Sequence, residues 1–330
     1  MNTNRKKNPK PSPAVQFSDA AVYFLPYLRP TELSAVSSTS KTLNLLSKSI
    51  TAARSSDASR TFEKLPVPFV ISDHHPYAYF IYTPFQVLTF LSDDPPRQPW
   101  GSGFDGRPGL GLVGPPAAVE GGGGGCGCER CDGVVCSCSR VEVDGLRWEC
   151  GSGCGCGSEC GRRVGQRGVE VRLKIVRSGR KGWGLHAGEF IGGGEFVCEY
   201  AGELLTTKEA RRRQLIYDKL ASTVKRTSAL LVVREHLPSG NACLRINIDA
   251  TRIGNVARFI NHSCDGGNLS TVLVRSSGAL LPRVCFFASR DILIDEELTF
   301  SYGEAGLNPN GSKCFCGTSC CSGIMPSEPT

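Results

Sequence analysis

Nine cysteines are concentrated between residues 126 and 160 of this chain of 330 residues. Most of their neighbours are glycine, serine or charged residues, so packing as small buried hydrophobes does not explain them. Three tetrahedral zinc ions need twelve sulfur contacts, which nine thiolates supply when three of them bridge two ions each. The pattern therefore predicts a structural three-zinc cluster that holds a glycine-rich segment together. Its predicted ligands are Cys126, Cys128, Cys131, Cys136, Cys138, Cys150, Cys154, Cys156 and Cys160.

A second cysteine group lies near residue 320. Cys314, Cys316 and Cys321 form a C-x-C-x4-C pattern, which supplies three of the four ligands of a zinc site. Cys264 would be the fourth ligand, which would bring the tail next to the segment around residue 264. Cys320 could compete with Cys321, although the spacing favours Cys321.

Two longer motifs combine polar and aromatic residues, with Asn268 between them. They read Arg258-Phe259-Ile260-Asn261-His262-Ser263-Cys264 and Glu296-Glu297-Leu298-Thr299-Phe300-Ser301-Tyr302-Gly303. Together with the cysteine groups, they resemble the SET-domain histone lysine methyltransferases of the suppressor-of-variegation class, and within it the plant suppressor-of-variegation-related group. The resemblance extends from about Cys126 to Gly323. The spacer between Cys128 and Cys131 is shorter than is usual in the family, but no ligand is lost.

The resemblance implies a mainly β fold. A SET-domain β-clip with a knot-like crossing would occupy residues 169–303. A three-zinc pre-SET cluster at 121–168 and a one-zinc post-SET tail at 310–326 would flank it, and a small α-helical segment would precede them. Short strand-like runs separated by turn residues favour a largely antiparallel body. They are Phe196–Tyr200, Leu244–Ile248, Val272–Val274 and Val284–Ala288.

The resemblance also implies S-adenosylmethionine as the cofactor. This methyl donor is already a reactive sulfonium, so the protein mainly has to align the reactants and exclude water. Glycines around an aromatic residue, as in Gly182-Trp183-Gly184, let the backbone approach a ligand closely. The cofactor-binding residues that the family implies are Lys181, Gly182, Trp183, Arg258, Asn261, His262, Tyr302 and Phe315.

The acceptor lysine must lose a proton before it can attack, because an ammonium with a pKa of about 10.4 has no lone pair. By resemblance, Tyr302 orients the amine, Tyr200 supplies a second tyrosine and Phe300 forms a wall of the lysine channel. A Phe at this last position leaves room for dimethyl and trimethyl products, and Phe315 would act as a lid. The alternative is that these rings only pack in the core.

Two positions depart from the family pattern. Ser228-Ala229-Leu230-Leu231 lacks an aromatic residue that often touches the cofactor, and Ser301 replaces an acidic residue. The first departure keeps open a second hypothesis, a catalytically weak chromatin-binding scaffold linked to a ubiquitin-ligase adaptor. A zinc-dependent hydrolase is disfavoured, because neither predicted zinc site keeps an open position beside a general base.

The segments before the cysteines have simpler predictions. Residues 1–16 are polar and proline-rich, which predicts a disordered leader. Residues 17–60 have helix-like leucine spacing and predict two or three short helices. The runs Phe24–Leu33 and Val36–Lys41 resemble part of an F-box, the module that docks ubiquitin-ligase adaptors, although an ordinary helical appendage fits equally well. Residues 61–120 are predicted to be a variable, Pro/Gly-rich linker without a core.

Composition limits the remaining classes. The net charge of +7 is scattered along the chain, so no sequence-specific DNA binding is expected. The sequence has no secretory signal and no run of about 18 apolar residues, which predicts a soluble intracellular protein without a membrane span. Cys198, Cys243 and Cys285 lie in apolar runs and should be buried thiols. The resemblance implies a nuclear, chromatin-associated protein whose partner is a histone tail peptide or a nucleosome. The ninth residue of histone H3 is the first candidate for the methylated lysine.

Overall fold

The computed structural model describes residues 13–70, 76–88, 125–129, 131, 136, 138, 146–224, 228–236, 243–277, 281–303 and 312–326. Within these ranges the chain forms four α-helices and fourteen short strands. None of the helices described is both long enough and apolar enough to span a membrane. The mainly β fold with a small helical N-terminal segment is therefore confirmed.

Three helices open the described chain: α1 (Pro13–Phe24), α2 (Pro30–Ser37) and α3 (Lys41–Ser56). Glu32 accepts a 2.7 Å hydrogen bond from the Arg29 amide, and Ser40 caps α3 by accepting from the Leu43 amide at 3.2 Å. Such caps satisfy amides that would otherwise lack partners at a helix start. The predicted helices are confirmed. The predicted leader is too long, because α1 begins at Pro13 and proline suits the first turn of a helix.

The strands form four sheets. Their bounds are β1 (Phe69–Val70), β2 (Ile81–Tyr82), β3 (Val87–Leu88), β4 (Leu146–Glu149), β5 (Leu173–Ser178), β6 (Gly182–Ala187), β7 (Phe196–Glu199), β8 (Gly202–Leu205), β9 (Leu230–His236), β10 (Cys243–Gly254), β11 (Asn261–His262), β12 (Leu269–Ser276), β13 (Arg283–Ala288) and β14 (Thr299–Phe300). The sheets have the orders β1-β5-β6, β2-β10-β8-β3 with β9 also on β10, β4-β12-β13-β7, and β11-β14.

The body after residue 169 is built from antiparallel pairs, apart from the parallel pair β11-β14. This confirms the predicted antiparallel body and its four strand-like runs. Cys198 and Cys285 are fully buried, as predicted. Cys243 begins β10, but its side chain lies outside the described part of the chain. One element was missed: α4 (Thr207–Val224), which packs on β8 and β10.

The strands that precede the body all join it in parallel. β1 pairs with β5, β2 with β10, β3 with β8 and β4 with β12. Val67, Phe69 and Phe80 are buried in the main hydrophobic core. The prediction of a linker without a core is therefore wrong for residues 66–70 and 76–88, because their apolar side chains complete the core of the body. Residues 71–75 and 89–120 of that linker lie outside the described ranges.

Candidate active site and metal centres

The two motifs meet at the parallel pair β11-β14. Asn261 lies opposite Thr299 and His262 opposite Phe300. Asn268 ties the crossing together: its Nδ2 donates to Glu296 Oε1 at 3.0 Å and to the Glu297 carbonyl at 2.9 Å, while its Oδ1 accepts from the Thr299 amide at 2.9 Å. This buried amide therefore fixes the relative positions of two segments that lie far apart in sequence.

One side of the crossing faces the glycine-rich turn of β6. The Asn261 Nδ2 donates to Glu297 Oε1 at 2.8 Å, and Lys181 Nζ lies 2.7 Å from Glu297 Oε2. A Cβ at Gly184 would lie 2.8 Å from that Oε1 atom, so only glycine lets these segments approach so closely. Gly182 has a φ of +79° and nothing within 4 Å of where a Cβ would lie, which leaves open space beside the turn.

The structure thus brings together Lys181, Gly182, Trp183 and Asn261, four of the residues expected to bind the cofactor. The Asn261 Nδ2 also lies 3.3 Å from the Trp183 carbonyl. Glu297 connects this group but was not assigned a role from the sequence. Its position in the second motif was the only available signal, since a carboxylate between a lysine and an amide is visible only after folding.

Arg258 and His262 have other contacts in the structure. Arg258 donates to the Ala250 carbonyl at 2.9 Å and the Thr251 carbonyl at 3.1 Å, and its guanidinium stacks on the rings of Phe80 and Phe259. The His262 Nδ1 accepts from the Tyr302 amide at 3.2 Å. These contacts hold Arg258 against β10 and two core rings, and His262 against the Tyr302 backbone. Their role in cofactor binding remains a prediction.

A line of aromatic rings occupies the other side of the crossing. Ring centroids are 6.3 Å apart for Tyr200 and Phe286, 4.7 Å for Phe286 and Phe300, and 4.9 Å for Phe300 and Tyr302. Phe286 is fully buried, and its ring lies between those of Tyr200 and Phe300, two of the three residues predicted to form the lysine channel. It was missed because an aromatic residue in an apolar strand has the same sequence pattern whether it supports a site or only a core.

Both tyrosine hydroxyls donate to backbone carbonyls. The Tyr302 hydroxyl donates to Ile260 O and the Tyr200 hydroxyl to Ala229 O, each at 2.7 Å. Desolvation of the hydroxyl raises the pKa of both phenols above the ordinary value of tyrosine, although Tyr302 as a whole is 37% exposed and Tyr200 is buried. Both therefore stay protonated at neutral pH, and neither can act as a general base. Each hydroxyl instead keeps its lone pairs for an incoming donor.

The cysteines of residues 126–160 converge on a triangle. The Sγ atoms of Cys126, Cys131 and Cys150 are 3.5, 3.9 and 3.7 Å apart in the pairs 126–131, 126–150 and 131–150. Thiolates around one tetrahedral zinc lie about 3.8 Å apart when each Zn–S bond is about 2.3 Å. Three sets of four Sγ atoms, each within 4.8 Å, surround this triangle. The remaining members of these sets are Cys128, Cys136, Cys138, Cys154 and Cys156.

Cys160 lies outside those three sets, with its Sγ 4.0 Å from that of Cys150. Cys126 belongs to all three sets, and Cys131 and Cys150 belong to two each. These three recurring cysteines occupy the positions that bridging thiolates would need. The donor chemistry and spacing therefore fit zinc.

The tail forms a separate group. Cys264, Cys314, Cys316 and Cys321 have their Sγ atoms within 4.8 Å of one another, the four ligands expected from the sequence. Although burial acts in the opposite direction, hydrogen bonds from Thr318 lower the pKa of Cys316 to about 5, which favours the thiolate that zinc binds. Cys320 is exposed and is not a member of the group. Phe315 is 45% exposed, and its role as a lid remains a prediction.

Known proteins share these features. Residues 182–303 match the family model described as the SET domain. The chain is 58% identical over 336 residues to histone-lysine N-methyltransferase SUVR3 of Arabidopsis thaliana, across 96% of this chain and 93% of that protein. Its structure resembles the methyltransferase domain of human SETMAR, with a TM-score of 0.63 and 29% identity over 82% of this chain and 97% of that chain.

It also resembles KRYPTONITE in complex with mCHH DNA, an H3(1-15) peptide and SAH, with a TM-score of 0.58 and 26% identity over 82% of this chain and 53% of that chain. A β body with a crossed pair of motifs and a cysteine group on either side defines a SET-domain lysine methyltransferase. The chain belongs to the SET-domain family of histone-lysine N-methyltransferases.

Proposed function

We propose that this chain transfers methyl groups from S-adenosylmethionine to a lysine of a histone tail, with the ninth residue of histone H3 as the first candidate. The observation that carries the proposal is the pair of tyrosine hydroxyls beside Phe300. Because Tyr302 and Tyr200 each donate to a carbonyl, their oxygen atoms are fixed acceptors for the hydrogens of a lysine amine. An amine held in this way has its lone pair aligned for attack.

The opposite side of the crossing would hold the cofactor. Bound there, S-adenosylmethionine supplies an electrophilic methyl group on a sulfonium. The open space at Gly182 and the polar group of Lys181, Asn261 and Glu297 support this placement. We assign Trp183, Arg258, His262, Tyr302 and Phe315 to the same pocket. KRYPTONITE was solved with SAH, which is consistent with a cofactor of this class.

The lysine channel would favour the neutral amine. An apolar channel disfavours the ammonium form, so the pKa of the acceptor lysine should fall below its usual range. Phe300 and Phe286 present no polar atom to the amine, and the Phe300 position has no hydroxyl to occupy the space of an added methyl group. We therefore expect dimethyl and trimethyl products in addition to the monomethyl product.

The metal centres would be structural. We assign three zinc ions to the cysteines of residues 126–160, with Cys126, Cys131 and Cys150 as the bridging ligands, and one to the tail. Histone substrates place the protein on chromatin in the nucleus. A nucleosome is accordingly the expected natural partner.

The described residues give the adaptor hypothesis no support. Leu25, Leu33 and Leu43, part of the leucine face expected to bind an adaptor, are buried in a cluster within the helical segment itself. Tyr23 and Tyr27 are exposed and would have to form the binding surface instead. Recovery of an adaptor with the full chain would support this role.

Methyl transfer to intact histones with labelled cofactor tests the main proposal. Tyr302→Phe should lower the rate about 100-fold or more, because the amine loses its fixed acceptor. The affinity for S-adenosylhomocysteine, measured by calorimetry, should change little, because the variant loses only the hydroxyl and keeps the ring that we assign to the cofactor pocket. Tyr27→Phe, which removes an exposed hydroxyl in the helical segment, is the matched control. Full activity of Tyr302→Phe would remove this hydroxyl from the mechanism, and a wild-type protein without transfer would favour the scaffold.

A further inference from the structure

The peptide segment that carries Tyr200 is held by hydrogen bonds on both sides. The Tyr200 amide donates to the Val284 carbonyl at 2.7 Å, and the Tyr200 carbonyl accepts from Gln86 Nε2 at 2.8 Å. Asn255 holds the two flanking residues: its Nδ2 donates to the Glu199 carbonyl at 2.6 Å, and its Oδ1 accepts from the Ala201 amide at 3.3 Å. The two peptide groups that flank Tyr200 therefore have fixed orientations, and each is held at both its carbonyl and its amide.

Gln86 lies in a different part of the chain from Tyr200, Asn255 and Val284. It precedes residues 182–303, which match the family model, and belongs to the segment whose sequence predicts a linker. Two short parallel pairings hold it in place: β2 with Ile253–Gly254 before it, and β3 with Glu203–Leu204 after it. The Thr83 amide adds a 2.9 Å hydrogen bond to the Gly254 carbonyl. Gln86 is thus anchored to the body on both sides and can act as a fixed donor.

Holding the Tyr200 backbone also determines where its hydroxyl lies. The phenol oxygen is at the far end of the side chain, so a small rotation of the Tyr200 peptide group moves it relative to Ala229 O and Tyr302. A displacement of about 1 Å in a catalytic site can lower a rate about 100-fold. The hydrogen bond from Gln86 therefore helps to fix the position of the Tyr200 hydroxyl, on which the rate of transfer depends.

Loss of this donor should not unfold the protein. Gln86 and Glu199 line a cavity of about 680 Å³ at the junction of the N-terminal segment, the cysteine block and the body. Water in this cavity could hydrogen-bond to the Tyr200 carbonyl in place of the amide. A water molecule satisfies the carbonyl but is not anchored by two strands. The expected consequence is a loss of positional order at Tyr200 and not a loss of folding.

We propose that Gln86 is a positioning residue for lysine methylation, acting through Tyr200 from outside the SET segment. The proposal rests on the proposed function, since it requires Tyr200 to lie in the lysine channel. It extends to product specificity. Each methyl group added removes an N–H donor from the amine, so later rounds of transfer depend on fewer hydrogen bonds and tolerate a displaced tyrosine less well.

The test compares Gln86→Met with Gln214→Met in the full chain. Methionine keeps the length of glutamine without its donor, and Gln214 lies on α4, where its Nε2 bonds only to exposed Asp218 Oδ1 among the contacts described, at 2.7 Å. Methyl states of a histone H3 peptide are measured by mass spectrometry, together with kcat and the KM for the cofactor. Gln86→Met should lower kcat about tenfold. It should also raise the monomethyl share, with the cofactor KM and the melting temperature close to those of Gln214→Met.

Tyr200→Phe serves as the reference variant. Suppose that Gln86→Met and Gln214→Met give the same product distribution while Tyr200→Phe changes the distribution. That result overturns the role of Gln86 and leaves the proposed function intact. A lower melting temperature of Gln86→Met with unchanged product ratios also overturns the proposal, because Gln86 would then contribute to stability and not to the positioning of Tyr200. An unchanged distribution in Tyr200→Phe removes Tyr200 from the channel and the inference with it. Absence of transfer by the wild-type chain refutes the proposed function itself.

Discussion

Glu149 and Glu199, both buried, share one guanidinium, that of Arg283, whose side chain is 14% exposed. The Arg283 Nη2 lies 2.6 Å from Glu149 Oε2, whereas its Nη1 lies 3.2 Å from Glu199 Oε2. One positive charge cannot fully compensate two carboxylates removed from water. Burial therefore raises the pKa of Glu199 to about 7, although Arg283 acts in the opposite direction.

This shift predicts a pH-dependent stability. Because the pKa of Glu199 is higher in the folded chain than in the unfolded chain, its contribution is fully present below about pH 4.5 and is lost as the pH rises through about 7. Glu199→Gln should remove about 1–3 kcal/mol of this dependence. Chemical denaturation of both proteins between pH 5.5 and 8, with the zinc content checked at each pH, measures the difference. Parallel pH curves for the two proteins would contradict the prediction. Glu189→Gln is the control, since that side chain is 41% exposed.

At the residue scale, sequence reasoning succeeds where a chemical requirement dictates the residue type. Cysteine spacing is of this kind, since zinc needs several thiolates and the cysteines converge in groups of four Sγ atoms. The role of Tyr302 is assigned from the resemblance and remains a prediction. Sequence reasoning fails for Gln86, Phe286 and Glu297, whose importance depends on which distant segment they meet. A glutamine between two short apolar runs has no pattern of its own.

A buried arginine, Arg213, helps to dock helix α4 on the sheet. Arg213 Nη1 lies 2.7 Å from Glu203 Oε2 on β8 and 2.8 Å from Asp249 Oδ2 on β10, and its Nε lies 2.9 Å from Glu209. Its side chain is 9% exposed, against 59% for the adjacent Arg212, which pairs with Glu209 alone among the described ion pairs. The same residue type therefore occupies a buried network and a solvated surface at consecutive positions.

Replacing these two arginines should have very different effects. Arg213→Ala should lower the free energy of unfolding by about 3–5 kcal/mol, because Glu203 and Asp249 would remain buried without their cation. Arg212→Ala should lower it by less than about 1 kcal/mol, since exposed pairs contribute little. Urea denaturation of the two variants and the wild type measures both. Similar values for the two variants would show that α4 is held by packing and not by Arg213.

The strands differ in how clearly the sequence predicts them. Strands β7, β10, β12 and β13 alternate or run apolar over four or more residues, and the pattern identifies them. Strands β1, β2 and β3 have two residues each and pair in parallel with distant partners, so neither length nor a neighbouring hairpin marks them. Their apolar residues are interrupted by prolines, which favours the interpretation as a linker. The burial of Val67 and Phe69 becomes evident only from the folded structure, in which both residues lie in the core of the body.

For the whole molecule, the cysteine groups predict the metal content. The protein as purified should contain about four zinc ions, and Cys314→Ser about three. Loss of the tail site should release the segment that carries Phe315, admit water to the lysine channel and sharply reduce methyl transfer. The melting temperature should change little, because the cluster at residues 126–160 and the core remain intact. Elemental analysis, the transfer assay and thermal unfolding measure the three quantities, and full activity with one zinc lost would show that the tail has no catalytic role.

The parallel pairing of β11 with β14 also bears on how the protein is made. A ribosome delivers Asn261 and His262 well before Thr299 and Phe300, and the tail cysteines follow later still. A nascent chain that ends before Thr299 therefore contains the whole cysteine block and most of the body, yet neither the crossing nor Tyr302. Enzymatic activity is acquired only when the last segments emerge. Translation products cut short by a premature stop should accordingly be inert towards chromatin, and not partially active.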